Sequence, residues 1–154
     1  MKQAAPILAA LAVVGAFSTA VYAQTADRAI KYRQGVMSAQ GWHMGILGGM
    51  AKGSRPYDKD AAQRSAMFVD QLMLMHNEGF IQGSEKGAPT RAKPEIWAQR
   101  AKFDKYAADA KAETAKLAAS AGNGLDALRA SIGPVGRACN NCHDDFQNKD
   151  LSSN

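Results

Sequence analysis

The last third of the chain carries a stripe of apolar residues and cysteines that recur at alternating spacings of three and four. Such spacing keeps side chains on one face of a helix, because an α-helix turns once every 3.6 residues or so. The stripe consists of Leu125, Leu128, Ile132, Val135, Cys139, Cys142 and Phe146. It therefore predicts a helix whose buried face holds both cysteines of the chain. Pro134 removes one backbone hydrogen bond of this helix. It is therefore expected to bend the helix, and it allows one break in it.

The rest of the chain also has a helical composition. Ala, Leu, Met, Lys, Gln and Glu dominate, β-branched residues are sparse, and no stretch alternates with a period of two. Segments rich in glycine and proline separate the predicted helices. These helices span Asp27–Lys52, Lys59–Asn77, Pro94–Ser120 and Leu125–Lys149.

The N-terminal segment has the features of a secretory signal peptide. Lys2 precedes an apolar run at residues 7–17, and small residues lead up to Ala23. The run is shorter than the roughly 20 apolar residues that span a bilayer, so a retained membrane anchor is the weaker interpretation. We expect cleavage after Ala23, which leaves residues 24–154 as one exported domain in the periplasm with no membrane segment.

The charge pattern argues against a nucleic-acid partner. Removal of residues 1–23 takes away only Lys2 and lowers the formal net charge from +5 to +4. The basic residues are interleaved with acidic ones, as in Asp104-Lys105, whereas nucleic-acid binding needs a concentrated basic patch. We therefore expect no DNA or RNA ligand.

Residues 139–143 carry the strongest chemical signal, because the segment Cys-Asn-Asn-Cys-His supplies two thiols and an adjacent imidazole. This spacing allows the thiols to add to the two vinyl groups of one haem while His143 binds the iron from the same side. Cys139 and Cys142 are therefore the predicted attachment sites of a single haem c.

Three other interpretations of the motif are weaker. A thioredoxin-like redox pair would lie in a βαβ unit, whereas this pair lies late in a helical chain. A disulfide between the two cysteines would close a very small loop and stabilise little. A zinc site would have to recruit His43 or His76, and neither shows the paired spacing of a zinc finger.

The mature chain resembles the cytochrome c′ family, including its low-spin, methionine-ligated relatives. The resemblance rests on residues 32–37, on residues 93–97 and on residues 135–146, so it extends beyond the haem motif. It implies an all-α fold, an antiparallel up-and-down four-helix bundle with covalent haem near the C-terminal helix. Bundles commonly house cofactors between their helices.

The resemblance also assigns roles to individual residues. His143 is similar to the proximal iron ligand, and Arg33 and Gln34 match residues that lie beside the haem propionates. A charge-assisted hydrogen bond from Arg33 to a propionate is physically reasonable, although a solvated helix cation is the alternative.

Met37 matches the distal position, where a side chain faces the iron. If its thioether binds, the iron is six-coordinate and suited to electron transfer; if it only packs nearby, the iron is five-coordinate and can bind a diatomic gas such as NO or CO. High-spin members of the family usually carry a basic residue four positions after the axial histidine, but this chain has Gln147 there and reaches Lys149 only later. We therefore favour Met37 ligation, with both coordination states open.

These features lead to a predicted function. We expect a soluble one-electron carrier that docks on redox partner proteins, with gas binding as the alternative. No enzymatic activity is expected, because the stripe around Met37 offers no polar acid or base, and His43 and His76 are assigned no role in the site. Family members are often homodimers that pair through the first two helices, and five glycines in the first helix are compatible with a close partner.

Overall fold

The computed structural model describes the backbone of residues 5–149 and the side chains of residues 25–149. Its helices are α1 (Ala5–Lys52), α2 (Lys59–Met75), α3 (Glu95–Ala98), α4 (Arg100–Ser120) and α5 (Leu125–Phe146), with 3₁₀ turns at His76–Gly79 and Ala121–Asn123. The predicted signal segment, residues 1–23, lies outside the described residues except for the backbone of residues 5–23, which is part of α1. Within the described range, no helix is both long and apolar enough to cross a bilayer.

The four long helices pack antiparallel, as the hydrogen bonds between them demonstrate. These bonds pair Arg33 with Gly79, Gln40 with Met73, Gln63 with Ala118, Asp70 with Thr114 and Asn77 with Asp104. In each helix pair, the residue number rises along one helix as it falls along the other. Between α4 and α5, the Phe103 and Phe146 rings meet with their centroids 5.6 Å apart, and Leu117 and Leu128 share one core cluster further along. The predicted four-helix bundle is confirmed.

The core divides into an aliphatic part and an aromatic part. The aliphatic part lies near the α1–α2 connection and includes Leu47, Met50, Val69, Leu117, Leu128 and Val135. The aromatic part lies near the end of α5 and is formed by Phe80, Ile96, Phe103 and Phe146. Both cysteines border these clusters, Cys139 the first and Cys142 the second. The predicted α5 stripe is therefore the inward face of the helix.

The prediction of a single third helix is wrong, since the structure divides it into α3 and α4. Gln99 separates them with a non-helical backbone at φ −118° and ψ 43°. Side chains on both sides of the break form hydrogen bonds to residues 80–94, the irregular link between the His76–Gly79 turn and α3. Trp97 Nε1 donates to the Ile81 carbonyl at 2.9 Å, and Arg100 donates to the Phe80 carbonyl at 2.9 Å. The break lets both side chains reach adjacent carbonyls of one segment.

The last helix is continuous from Leu125 to Phe146, so the break that Pro134 allowed does not occur. The proline deprives the Ala130 carbonyl of a helical partner, but Ala130 is an exposed residue and its face of the helix is open to water. The helix ends at Phe146 rather than at the predicted Lys149. The reason is that Gln147 turns to extended backbone, with φ −119° and ψ 130°, and forms an isolated antiparallel bridge with Ala92.

Four of the five glycines in the part of α1 whose side chains are described do not serve close packing within the chain. An added Cβ at Gly35, Gly41, Gly45 or Gly48 would meet no atom within 4 Å. Trp42 on the same helix is 72% exposed, although tryptophan is a residue type that favours the interior. This part of α1 therefore presents an open surface.

Gly79 is different, because its backbone presses directly against α1. A Cβ at this position would lie 2.6 Å from Arg33 Cβ, 3.0 Å from the Ala29 carbonyl oxygen and 3.1 Å from the Arg33 backbone nitrogen. Two of these three neighbours are backbone atoms, which cannot move aside without shifting the helix. Glycine is required here for close approach, and the contact fixes the His76–Gly79 turn onto α1.

We expect Gly79→Ala to lower the free energy of unfolding by about 1–3 kcal/mol, because the added methyl group overpacks a rigid contact. Chemical denaturation of the folded protein measures the change. Gly35→Ala is the matched control: it lies in α1 with open space around it, and replacement of a helical glycine by alanine should raise stability by up to about 1 kcal/mol. Equal effects of the two substitutions would contradict the close-approach argument.

Candidate functional site

A cavity of about 400 Å³ lies at the aromatic end of the bundle. A volume of this size falls in the usual range for cofactor and ligand pockets. It is lined by residues of α1, the His76–Gly79 turn, the 80–94 link, α3, α4 and α5, so segments that are far apart in the sequence meet at its wall. A second cavity of about 30 Å³ lies against it. Four residues line both: Met37, His76, Cys142 and His143.

The two cysteines and the histidine of the motif occupy the last turns of α5. Both thiols are free and half-buried, and burial raises the pKa of Cys139 and raises that of Cys142 to about 11. Burial lowers the pKa of His143, and the nearby Arg91 charge lowers it further while Asp144 opposes this. His143 is therefore neutral at pH 7, and a neutral imidazole is the form that binds a metal. The site thus offers two thiols and one metal-ligating nitrogen on one helix face.

Arg33 is buried and only 3% exposed, so the alternative of a solvated helix cation is excluded. Its guanidinium donates four hydrogen bonds: to the Gly79 carbonyl at 3.0 Å, to Ser84 Oγ and the Ser84 carbonyl at 2.8 Å each, and to Thr90 Oγ1 at 3.1 Å. Burial lowers its pKa to about 10, which still leaves it charged at neutral pH. Arg33 lines the cavity and also fastens the 80–94 link to α1.

Gln34 fastens the same link one residue further along α1. Its side-chain amide donates to the Pro89 carbonyl at 2.8 Å, and it lines the cavity beside Arg33. Asp27 adds a third connection by accepting from the Ala88 amide at 2.9 Å. Arg33 and Gln34, the residues predicted to lie beside the haem propionates, therefore line the same cavity wall. A ligand that carries carboxylates would meet polar groups there.

Met37 lies one turn after Arg33 and faces inward. It packs against the aromatic core cluster and lines both cavities together with His143. The structure therefore places the two predicted iron ligands, Met37 and His143, on the walls of the same two cavities.

His76 is a cavity residue that the sequence analysis missed. It is 6% exposed and its ring packs on Phe103, with centroids 5.5 Å apart and planes 26° apart, and on Phe80 at 5.4 Å. Burial lowers the pKa of His76, which favours the neutral imidazole over a cation at the helix end. A histidine after an apolar helix gives no local signal of burial. Only the contact between α1 and the 76–79 turn reveals it.

Arg91 is the second residue missed. It lines the cavity, donates to the carbonyls of Asn148 at 2.7 Å and Lys149 at 3.3 Å, and lowers the pKa of His143. The chain lacks a basic residue four positions after His143, but Arg91 brings a positive charge to that side from the link. Lys149 pairs instead with the exposed Asp144, at 3.4 Å.

Comparison with known proteins agrees with this geometry. The family model for cytochrome c′ matches residues 28–147. A cytochrome c′ from Halomonas halodenitrificans is 37% identical over 127 residues, which cover 79% of this chain and 96% of the relative. A cytochrome c-554 from Cereibacter sphaeroides is 33% identical and covers 83% and 98%. The crystal structure of cytochrome c′ from Rubrivivax gelatinosus superposes with a TM-score of 0.75 at 33% identity, covering 78% and 94%.

The chain belongs to the cytochrome c′ family. Proteins of the cytochrome c′ family carry a covalently bound haem c with its iron, which confirms the predicted cofactor. The site fits this group on its own evidence. The rings of Phe80, Phe103 and Phe146 offer a flat apolar ligand a surface to pack against, and free thiols and a neutral imidazole meet it from α5. Among solved relatives, an Alcaligenes xylosoxidans cytochrome c prime variant forms a nitric oxide complex.

We expect Arg33→Lys to lower the free energy of unfolding by roughly 2–4 kcal/mol, because an ammonium group cannot reproduce the guanidinium fork and leaves buried acceptors unpaired. Arg64→Lys, on the exposed face of α2, is the control and should change stability by less than about 0.5 kcal/mol. Chemical denaturation of the haem-loaded protein measures both. A loss equal to that of the control would mean that the Arg33 hydrogen bonds contribute little.

Proposed function

We propose that this protein is a periplasmic one-electron carrier. Cys139 and Cys142 hold one haem c through thioether bonds, His143 is the axial ligand on the α5 side, and Met37 is the sixth ligand from α1. The observation that carries this proposal is the common lining of both cavities by Met37 and His143, two side chains that approach from different helices. When bound, the haem supplies a one-electron couple between ferric and ferrous iron.

The protein residues around the site set the conditions for that couple. The buried rings of Phe80, Phe103 and Phe146 give the cavity an apolar wall, and burial of a haem against such a wall tunes its reduction potential. His143 presents a neutral nitrogen, and Met37 presents a thioether that can bind without losing a proton. A His/Met ligand pair raises the reduction potential, and burial and nearby charges such as Arg91 tune it further.

Gas binding is the second candidate function. The cytochrome c prime from Alcaligenes xylosoxidans is described in complex with nitric oxide in more than one variant, one of them in the ferrous state. In this chain the same outcome requires that Met37 only packs beside the iron. Met37 is part of the aromatic core cluster, so its side chain has packing partners even without a metal bond.

Redox proteins and a second copy of the chain are the proposed partners. Redox partner proteins dock transiently, and no nucleic acid or membrane takes part. The proposed homodimer would use α1 and α2, where Trp42 is 72% exposed, Met67 52% and Phe68 51%. Apolar side chains of this size are unusual on a monomer surface when they lie close together. No enzymatic role is proposed.

Carbon monoxide separates the two functions. We expect the absorption spectrum of the reduced protein to stay unchanged when carbon monoxide is added, because Met37 occupies the sixth position. A myoglobin sample treated in the same way checks that the gas was delivered. A shift in the spectrum of the reduced protein would instead support the gas-binding function and reject a firmly held Met37.

Export and haem attachment are tested together by intact-mass measurement of the protein from a periplasmic fraction. We expect the mass of residues 24–154 plus one haem. Cys139→Ser/Cys142→Ser should give the bare polypeptide mass, because serine hydroxyls do not form thioether bonds with haem vinyl groups. A colourless wild-type product with the bare mass would overturn the assignment of Cys139 and Cys142, and a start other than Gln24 would overturn the cleavage prediction.

A further inference from the structure

The register of α1 against α2 places His76 directly opposite Met37. Arg33 donates to the Gly79 carbonyl, and Gln40 Nε2 lies 3.4 Å from Met73 Sδ, so the two antiparallel segments are aligned at both ends of this region. Met37 lies between Arg33 and Gln40, and His76 lies midway between Gly79 and Met73. The alignment is tight, since Gly79 has no room for a Cβ against α1.

The ring of His76 is fixed by a chain of hydrogen bonds. Its Nδ1 lies 2.9 Å from Asn77 Oδ1, and Asn77 Nδ2 donates to Asp104 Oδ1 at 3.3 Å. The carboxylate of Asp104 can only accept, which orients the Asn77 amide with its oxygen toward His76. An amide oxygen is also only an acceptor, so Nδ1 carries the proton and Nε2 keeps its lone pair.

This tautomer is the one that proteins use for metal binding through Nε2. Ligating histidines commonly donate their other ring N–H to an oxygen, which sets the orientation of the ring and raises its basicity. Stacking on Phe103 and contact with Phe80 hold the ring further. Burial, together with the charges of His143 and Arg100, also lowers the pKa of His76, while Asn77 opposes this. The imidazole is therefore neutral in the cavity.

We propose that His76 is a second axial ligand for the haem iron, which binds through Nε2 when Met37 is absent or displaced. Where Met37 is bound, its bond to the iron would break as a bond from His76 Nε2 forms; where Met37 is absent, His76 would bind at the open position. No electron moves, and no proton is released, because Nε2 is already unprotonated. The proposal rests on the haem attachment and the His143 ligation proposed above, and it does not depend on the electron-carrier role.

The test compares ferric, haem-loaded variants by absorption and electron paramagnetic resonance spectroscopy. We expect Met37→Ala to stay low-spin, with the spectrum of two imidazole ligands. We expect Met37→Ala/His76→Phe to become high-spin, because phenylalanine keeps the ring stacking but cannot bind iron. Met37→Ala/His43→Phe is the matched control and should remain low-spin, since His43 lines neither cavity.

A high-spin Met37→Ala protein would overturn the proposal, and so would a double variant with His76→Phe that remains low-spin. Added imidazole should return that double variant to the low-spin state, which checks that its haem site is intact. If Met37→Ala does not load haem, Met37→Leu serves in its place, because leucine is close in size and has no ligating atom. Binding of carbon monoxide by the wild type would reject the carrier role alone, and the spin state of the Met37 variants would still decide the role of His76.

Discussion

The buried guanidinium of Arg33 holds together the parts of the chain that form the cavity. Its hydrogen bonds join α1 to the 76–79 turn and to the 80–94 link, and its carbon Cζ lies 5.0 Å from the centre of the Phe80 ring and 5.5 Å from that of Trp97. Each buried acceptor that it satisfies would otherwise carry a desolvation cost. Arg33 therefore contributes strongly to the position of the link, and hence of the cavity wall, with further bonds from Gln34 and Asp27.

Much of the fold could be predicted from the sequence, because the helices of a bundle bury one face each and reveal this as a period of 3.6 residues. The stripe on α5 correctly predicted the inward face of Cys139 and Cys142. The errors occurred where local pattern and tertiary contacts disagree. The break at Gln99 has no glycine or proline to mark it, and Trp42 is exposed although tryptophan favours the interior.

Site residues could be predicted only where they belong to a sequence motif or match a position of the family pattern. Cys139, Cys142 and His143 form such a motif, and the family resemblance supplied Arg33, Gln34 and Met37, which the structure brings to one cavity. His76 and Arg91 lie in or beside the irregular link, where no period indicates which side chains point inward. Their places follow from long-range contacts, namely the approach of Gly79 to α1 and the bonds from Arg91 to residues after α5.

The 80–94 link is bonded to α1 on one side and to the chain around the end of α5 on the other. Asp27 holds it at Ala88, while the Lys93 amide donates to the Phe146 carbonyl at 3.0 Å and the Asn148 amide donates to the Arg91 carbonyl at 2.8 Å. A segment fixed in this way cannot fray from one end, so opening it requires several bonds to break at once. The wall that the link forms beside the cavity is therefore a cooperative unit, whose amides should exchange together with those of α1 and the end of α5 rather than one by one.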